Sequence, residues 1–130
     1  ITNIEYLPTG SSFVIDGEGF EVPMVGEFNV RNAAMAVCSA KFAGLKPEEI
    51  RKGLLSFEGI ARRQQERGEV NGVTVVDDFA HHPTAIGLAI DGLRQKYPSR
   101  RLWVIFEPRS NTTRRNIFQE VLTIVVTSLC

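Results

Sequence analysis

Val73-Thr74-Val75-Val76 runs directly into Asp77-Asp78-Phe79-Ala80-His81-His82-Pro83, and this stretch decides the fold. The β-branched run reads as a strand, because such side chains pack well on a pleated surface. Pro83 and Thr84 then open a helix reaching about Tyr97, with Ile86, Ile90 and Leu93 on its apolar face. Pro98-Ser99 breaks that helix. Leu102-Trp103-Val104-Ile105-Phe106 follows as a continuous apolar run, which suits a strand buried on both faces of a parallel sheet. On the other side, Val70-Asn71-Gly72-Val73 carries a hairpin signal, since Asn-Gly accepts the positive φ angles of a tight turn. A polar loop at 107–113, a short helix over about 114–122 and a last apolar run, Ile124-Val125-Val126, complete the pattern. From residue 70 the order is strand, strand, helix, strand, helix, strand. It predicts an α/β domain with a largely parallel, three-layer architecture.

Upstream, residues 1–25 read as short strands. Phe13-Val14-Ile15 and Phe20-Glu21-Val22 flank Asp16-Gly17-Glu18-Gly19, a tight-turn signal, and Pro23 ends the pairing by removing a donor. Residues 29–43 read as a helix with Val30, Ala33, Ala34, Val37, Ala40 and Ala43 on one face, stopped by Gly44. Asn29 reads as its N-cap, and Cys38 as a small apolar residue on a buried face. Pro47, Glu48 and Glu49 start a second helix that carries Ile50, Leu54 and Leu55. Residues 61–69 are polar and charged, and a domain boundary is placed within them.

Composition narrows the class. Of 130 residues, 43% are hydrophobic and 23% charged, and fifteen basic residues balance fifteen acidic ones, which is ordinary globular composition. A net charge of zero argues against a general nucleic-acid or membrane-surface binder. No apolar run is long enough to cross a bilayer. The chain begins with Ile1 and has no signal-peptide pattern, which reads as an excised segment. Cys38 and Cys130 lack metal spacing, so a reduced, cytoplasmic setting is the simplest expectation.

In open α/β sheets ligands bind beyond the carboxyl ends of strands. Two polar segments, 77–83 and 107–115, follow apolar runs and are expected on the same sheet edge. The first has three readings: a divalent-metal site, an acid accepting hydrogen bonds from ribose hydroxyls, or a helix cap with solvated histidines. Two acids, two imidazoles and a proline within seven residues favour a site over a cap, and a metal site least. The second carries Arg109, Arg114 and Arg115, whose planar forks suit carboxylates and phosphates. Arg62-Arg63 read either as an exposed linker or as cations reaching a phosphate. Asn32 sits poorly in a helix interior, and its amide has the donor and acceptor to read an adenine edge. No phosphate loop of the GxxxxGK[ST] type, no GxSxG elbow and no paired zinc ligands are present.

Three ordered segments resemble the motif series of the Mur ligase family. They are Gly26-Glu27-Phe28-Asn29-Val30-Arg31-Asn32-Ala33, Phe57-Glu58-Gly59-Ile60-Ala61-Arg62-Arg63 and Asp77-Asp78-Phe79-Ala80-His81-His82-Pro83. The resemblance covers roughly residues 4–122. It implies that residues 1–66 are the C-terminal part of a central ATP-binding domain. Residues 67–130 would be the start of a Rossmann-like C-terminal domain. It further implies ATP-dependent amide-bond formation through an acyl phosphate, with Mg2+ ligands and the phosphate loop upstream, so that this segment alone would be inactive. Residues 77–86 and 106–112 are most similar to members that join the tripeptide L-Ala-γ-D-Glu-meso-diaminopimelate to UDP-N-acetylmuramate in cell-wall recycling. Members that join L-alanine are the alternative.

Carried over position by position, Asn29 and Asn32 resemble the adenine-contacting amides, and Arg63 the arginine facing the ATP phosphates. Asp78 resembles the acid on the ribose, while His81 and His82 fall near the reacting ends. Arg109, Ser110 and Asn111 would position the peptide's carboxylates. Phe28 stands where many members have His. Two other readings compete: a non-catalytic nucleotide- or peptide-binding module, and a metal-dependent hydrolase using Asp77, Asp78, His81 and His82.

Overall fold

The computed structural model describes residues 1–107. They fall into two units, Ile1–Gly59 with Gly92–Pro98, and Ile60–Asp91 with the described residues from Ser99.

The first unit begins with β1 (Thr2–Leu7), β2 (Gly10–Ile15) and β3 (Glu18–Val22), an antiparallel sheet in the order β1-β2-β3. Ile15 pairs with Glu18 across Asp16 (φ 53) and Gly17 (φ 79). Positive φ at both central residues matches the right-handed twist of the strands, which is why Asp-Gly makes this turn. Along β2 the strand period of two puts Ser11, Phe13 and Ile15 on the buried face and Ser12 and Val14 on the other. β3 stops at Val22, before Pro23, as expected. β1 is an exposed edge with a register shift between Thr2 and Glu5.

Helices α1 (Glu27–Phe42) and α2 (Pro47–Leu55) complete the unit's core. Val30, Ala33, Ala34 and Val37 are buried with Phe13, Phe20, Val22 and Ile50. The rings of Phe13 and Phe20 stack at 6.0 Å. Gly44 (φ 89) ends α1: its N–H donates to Lys41 O and the Leu45 N–H to Ala40 O, each at 3.0 Å. That paired arrangement satisfies carbonyls the helix leaves open. Pro47 takes the first position of α2, and the Lys46 N–H donates to Glu49 Oε2 at 2.8 Å. Three local expectations change. The N-cap of α1 is Gly26 (φ 98), not Asn29, because the glycine can turn the chain sharply three residues before the predicted start. Cys38 is exposed, since it lies off the Val30–Val37 stripe. Ala43 and Leu55, at the ends of their helices, are also exposed.

The second unit contains β4 (Gln65–Val70) and β5 (Val73–Asp77), an antiparallel hairpin with Val70 opposite Val73. Asn71 (φ 51) and Gly72 (φ 77) form the predicted turn. Residues 65–69 of the polar stretch are thus strand, with a bulge between Glu66 and Gly68. Its charged side chains fit because one face of an antiparallel pair can remain in water. Helix α3 (Pro83–Lys96) follows, its last residues counted with the first unit. Ile86 and Ile90 form a small core with Ala80, Leu102 and Phe106 packed on it.

The α/β class stands. The parallel sheet does not appear among the described residues, where every pairing is antiparallel. Residues 102–106 form no strand there. Trp103 is 74% and Ile105 96% exposed, and among the described residues no neighbouring strand supplies a hydrogen-bond ladder to this run. The expected helix at 114–122 and the run at 124–126 lie outside the described residues.

Candidate functional site

The second unit brings two segments together, 62–65 leading into β4 and 77–80 leading out of β5. The Phe79 N–H donates to Arg62 O at 2.9 Å, and the Gln64 N–H to Asp78 Oδ2 at 2.8 Å. The other carboxylate oxygen of Asp78 accepts the Ala80 N–H at 2.7 Å. Asp78 is half-buried and holds both segments. A carboxylate has about four acceptor positions, so two remain for other donors.

Arg62 (φ 60) and Gln64 (φ 48) both occupy the left-handed region, on either side of Arg63. For side chains of this size such a backbone costs about 1–3 kcal/mol each, so tertiary contacts must hold it. The contacts are visible. The Arg62 guanidinium lies 4.9 Å from the centre of the Phe79 ring, and its Nε is 3.6 Å from Asp77 Oδ2. The Arg62 N–H donates to Gln65 Oε1 at 3.0 Å. Gln64 Nε2 donates to Ala89 O of α3 at 3.1 Å. The cation–ring contact is worth about 0.5–1 kcal/mol at an exposed position. Arg63 is exposed, and no side chain among the described residues pairs with its guanidinium.

His81 and His82 are exposed. His81 Nδ1 lies 3.1 Å from Phe79 O, and the His81 ring meets Phe79 edge-on with centroids 5.4 Å apart. His82 Nδ1 accepts the Thr84 N–H at 3.3 Å, at the start of α3. His82 therefore takes part in capping, whereas the cap reading assigned that part to an Asp and left the histidines solvated; Asp78 secures the segment rather than the helix end. No group of three His, Cys, Asp or Glu that could hold a metal ion occurs among the described residues.

Asn29 and Asn32 belong to the first unit. Asn29 is buried and donates from Nδ2 to Val25 O at 2.7 Å. Asn32 is exposed on α1. Phe28 is half-buried, and its Cε1 stands 3.1 Å from where a Cβ on Gly26 would be. The helix entry therefore needs glycine for contact as well as for φ. Arg109, Ser110 and Asn111 lie outside the described residues. Sequence reasoning missed Gln64 and Phe79 as organisers of the site. Nothing in the sequence marks a left-handed Gln, but an aromatic residue inside a polar motif at a strand end was a usable signal for Phe79.

The chain as a whole has relatives among known proteins. Residues 62–129 match the family model described as "Mur ligase, glutamate ligase domain". The chain belongs to the Mur ligase family. It is similar to a UDP-N-acetylmuramate–L-alanine ligase of Salinibacter ruber, with 38% identity over 89% of this chain and 25% of that protein. It is also similar to the UDP-N-acetylmuramate–L-alanyl-γ-D-glutamyl-meso-2,6-diaminoheptandioate ligase of Escherichia coli, with 45% identity over 76% of this chain and 22% of that protein. Among solved structures, a murein peptide ligase from Psychrobacter arcticus superimposes with a TM-score of 0.59 at 37% identity, covering 97% of this chain and 27% of that one. A UDP-N-acetylmuramate-alanine ligase from Thermotoga maritima gives 0.76 at 19% identity over 94% of this chain and 29% of that one, a likeness of fold alone. The chain spans about a quarter of the length of these relatives.

Proposed function

We propose that this chain forms part of an ATP-dependent ligase that builds a carbon–nitrogen bond on UDP-N-acetylmuramate, in the cytoplasm. In this reading residues 1–66 end a central ATP-binding domain and residues 67–130 begin the C-terminal ligase domain. The amine-bearing substrate is the tripeptide L-Ala-γ-D-Glu-meso-diaminopimelate. The 45% identity to the Escherichia coli relative supports that substrate. The alternative, L-alanine, is supported by the Salinibacter ruber relative, whose match covers more of the chain.

The observation that carries the reading is the pairing of Asp78 with the Arg63 turn. Asp78 is anchored by two backbone donors, from Gln64 and Ala80, yet keeps acceptor capacity for ribose hydroxyls. Arg63 is next in sequence to Gln64 and offers a guanidinium with no side-chain partner among the described residues, so a sugar-binding acid and a phosphate-binding cation would share one short backbone link. These residues fit a nucleotide. ATP bound there would supply the phosphoryl group that activates a carboxylate. Arg63 would stabilise negative charge on it from a fixed position, which lowers reorganisation during the reaction. His81, exposed beside Phe79, would serve the reacting ends. The described residues do not offer a magnesium ligand set, and no step is assigned through one. Asn29 fits adenine less well, because Val25 O already takes one of its amide hydrogens.

The test is steady-state kinetics of a ligase carrying this chain, with each amine substrate offered in turn. Asp78→Ala is expected to raise the KM for ATP at least tenfold while far-UV circular dichroism stays unchanged. An unaltered KM would remove Asp78 from the nucleotide site. Turnover with L-alanine but not with the tripeptide would replace the proposed substrate by the alternative.

A further inference from the structure

Resting on the reading of Arg63 as the phosphate-facing cation, we propose that Phe79 is a positioning residue that holds Arg62 so that Arg63 is the arginine presented to the transferring phosphoryl group. Two adjacent arginines pose a problem of choice. Each has the same charge and reach, and a flexible backbone would let either one, or neither, face the anion.

The structure resolves the choice with contacts from one residue. The Phe79 backbone N–H is bonded to Arg62 O, and the Phe79 ring lies under the Arg62 guanidinium at 4.9 Å. Main chain and side chain of Arg62 are thus both engaged by Phe79, with Asp77 Oδ2 drawing the Nε end at 3.6 Å. Because Arg62 and Gln64 are both left-handed, the backbone reverses on each side of Arg63. The Gln64 N–H to Asp78 bond fixes the far side of that reversal. Arg63 is left as the arginine of the pair with no side-chain partner among the described residues. The opposite use of Phe79, as a core side chain, does not fit its exposure of 46%. Among the described residues its ring meets a guanidinium and the His81 imidazole. Burial therefore does not account for the aromatic residue here, whereas a cation platform does.

The role differs from catalysis. Phe79 acts through Arg62 and Arg63 and is assigned no contact with substrate. Losing it frees Arg62 to compete for the anion and lets Arg63 drift. A displacement of about 1 Å at a phosphoryl-transfer centre costs up to about a hundredfold in rate.

The experiment is a double-mutant cycle in a ligase carrying this chain, with ATP and the better amine substrate. Phe79→Leu keeps apolar bulk at a half-exposed position and removes the π face, and Phe79→Tyr restores it. We expect Phe79→Leu to lower kcat by about tenfold to a hundredfold with little change in the KM for ATP, and Phe79→Tyr to recover most of it. In an Arg63→Ala background, Phe79→Leu should cost almost nothing more. Full kcat in Phe79→Leu, or losses that multiply with those of Arg63→Ala, would overturn the positioning role while leaving the nucleotide reading in place. Full kcat in Arg63→Ala would overturn both.

Discussion

The two units differ in how large an apolar core they enclose. In the first, Phe13, Phe20, Val30 and Val37 are each under 2% exposed, and sheet and helices enclose them. In the second, the core is Ile86 and Ile90 with partly buried neighbours, while Val73, Val75, Trp103 and Ile105 face outward at 54–96% exposure. The candidate chemistry lies in the second unit, along with the left-handed Arg62 and Gln64. Strain of that kind persists only where polar and aromatic contacts over-determine the backbone. The first unit is therefore held by burial, and the loop of the second by directional contacts.

Removing a central ring tests the burial side most severely. Phe13→Ala should destabilise the first unit by about 3–5 kcal/mol, the usual cost of deleting a fully buried phenyl group. Hydrogen exchange would show the loss in β2, β3 and α1. The same experiment on the second unit, Ile90→Ala, should cost about 2 kcal/mol, the low end for an Ile deletion, because a thin core relaxes more easily. Equal losses at the two sites would dissolve the contrast.

A smaller effect belongs to the end of α1. Gly44→Ala meets no steric obstacle, since nothing lies within 4 Å of the added Cβ. Its φ of 89 remains, and the left-handed backbone should cost the first unit about 1–2 kcal/mol in chemical denaturation. A neutral result would mean that the helix end shifts rather than strains.

Much of this was legible in the sequence because it follows from local rules. Asp16-Gly17 and Asn71-Gly72 specify their turns by φ alone, and the Val30–Val37 spacing specifies the buried stripe of α1. Pro47 and Gly44 mark their helix ends for equally local reasons. What failed depends on neighbours. Residues 102–106 look like a strand by composition, but a strand exists only with a partner to bond. Asn29 looks like a cap, but Gly26 intervened three residues earlier. The motif at 77–83 stands out in the sequence as a candidate site, yet its internal wiring does not. That Asp78 binds the Gln64 amide depends on a reversal at Arg62 and Gln64, and neither residue type announces one.

The most delicate probe of the polar side lies on the hairpin. Glu69 accepts the Thr74 hydroxyl at 2.6 Å and Arg100 Nη1 at 2.9 Å, and the same Arg100 nitrogen contacts Thr74 Oγ1. The Thr74 hydrogen bond first, and Arg100 second, hold the Glu69 carboxyl below its ordinary value of 4.5. A depressed carboxylate binds fewer protons folded than unfolded, so its contribution to stability is complete above the ordinary value and fades as the pH falls through the folded one. Because the group is exposed, the effect on stability is slight, and the titration itself is the better measurement. Followed by carboxyl carbon chemical shift, Glu69 should titrate below a typical glutamate, and Thr74→Val and Arg100→Gln should each move it part of the way back. A full return with Arg100→Gln and no change with Thr74→Val would mean that the ion pair, not the hydroxyl, organises this strand pair. The second unit would then be held more by charge than by directional hydrogen bonds.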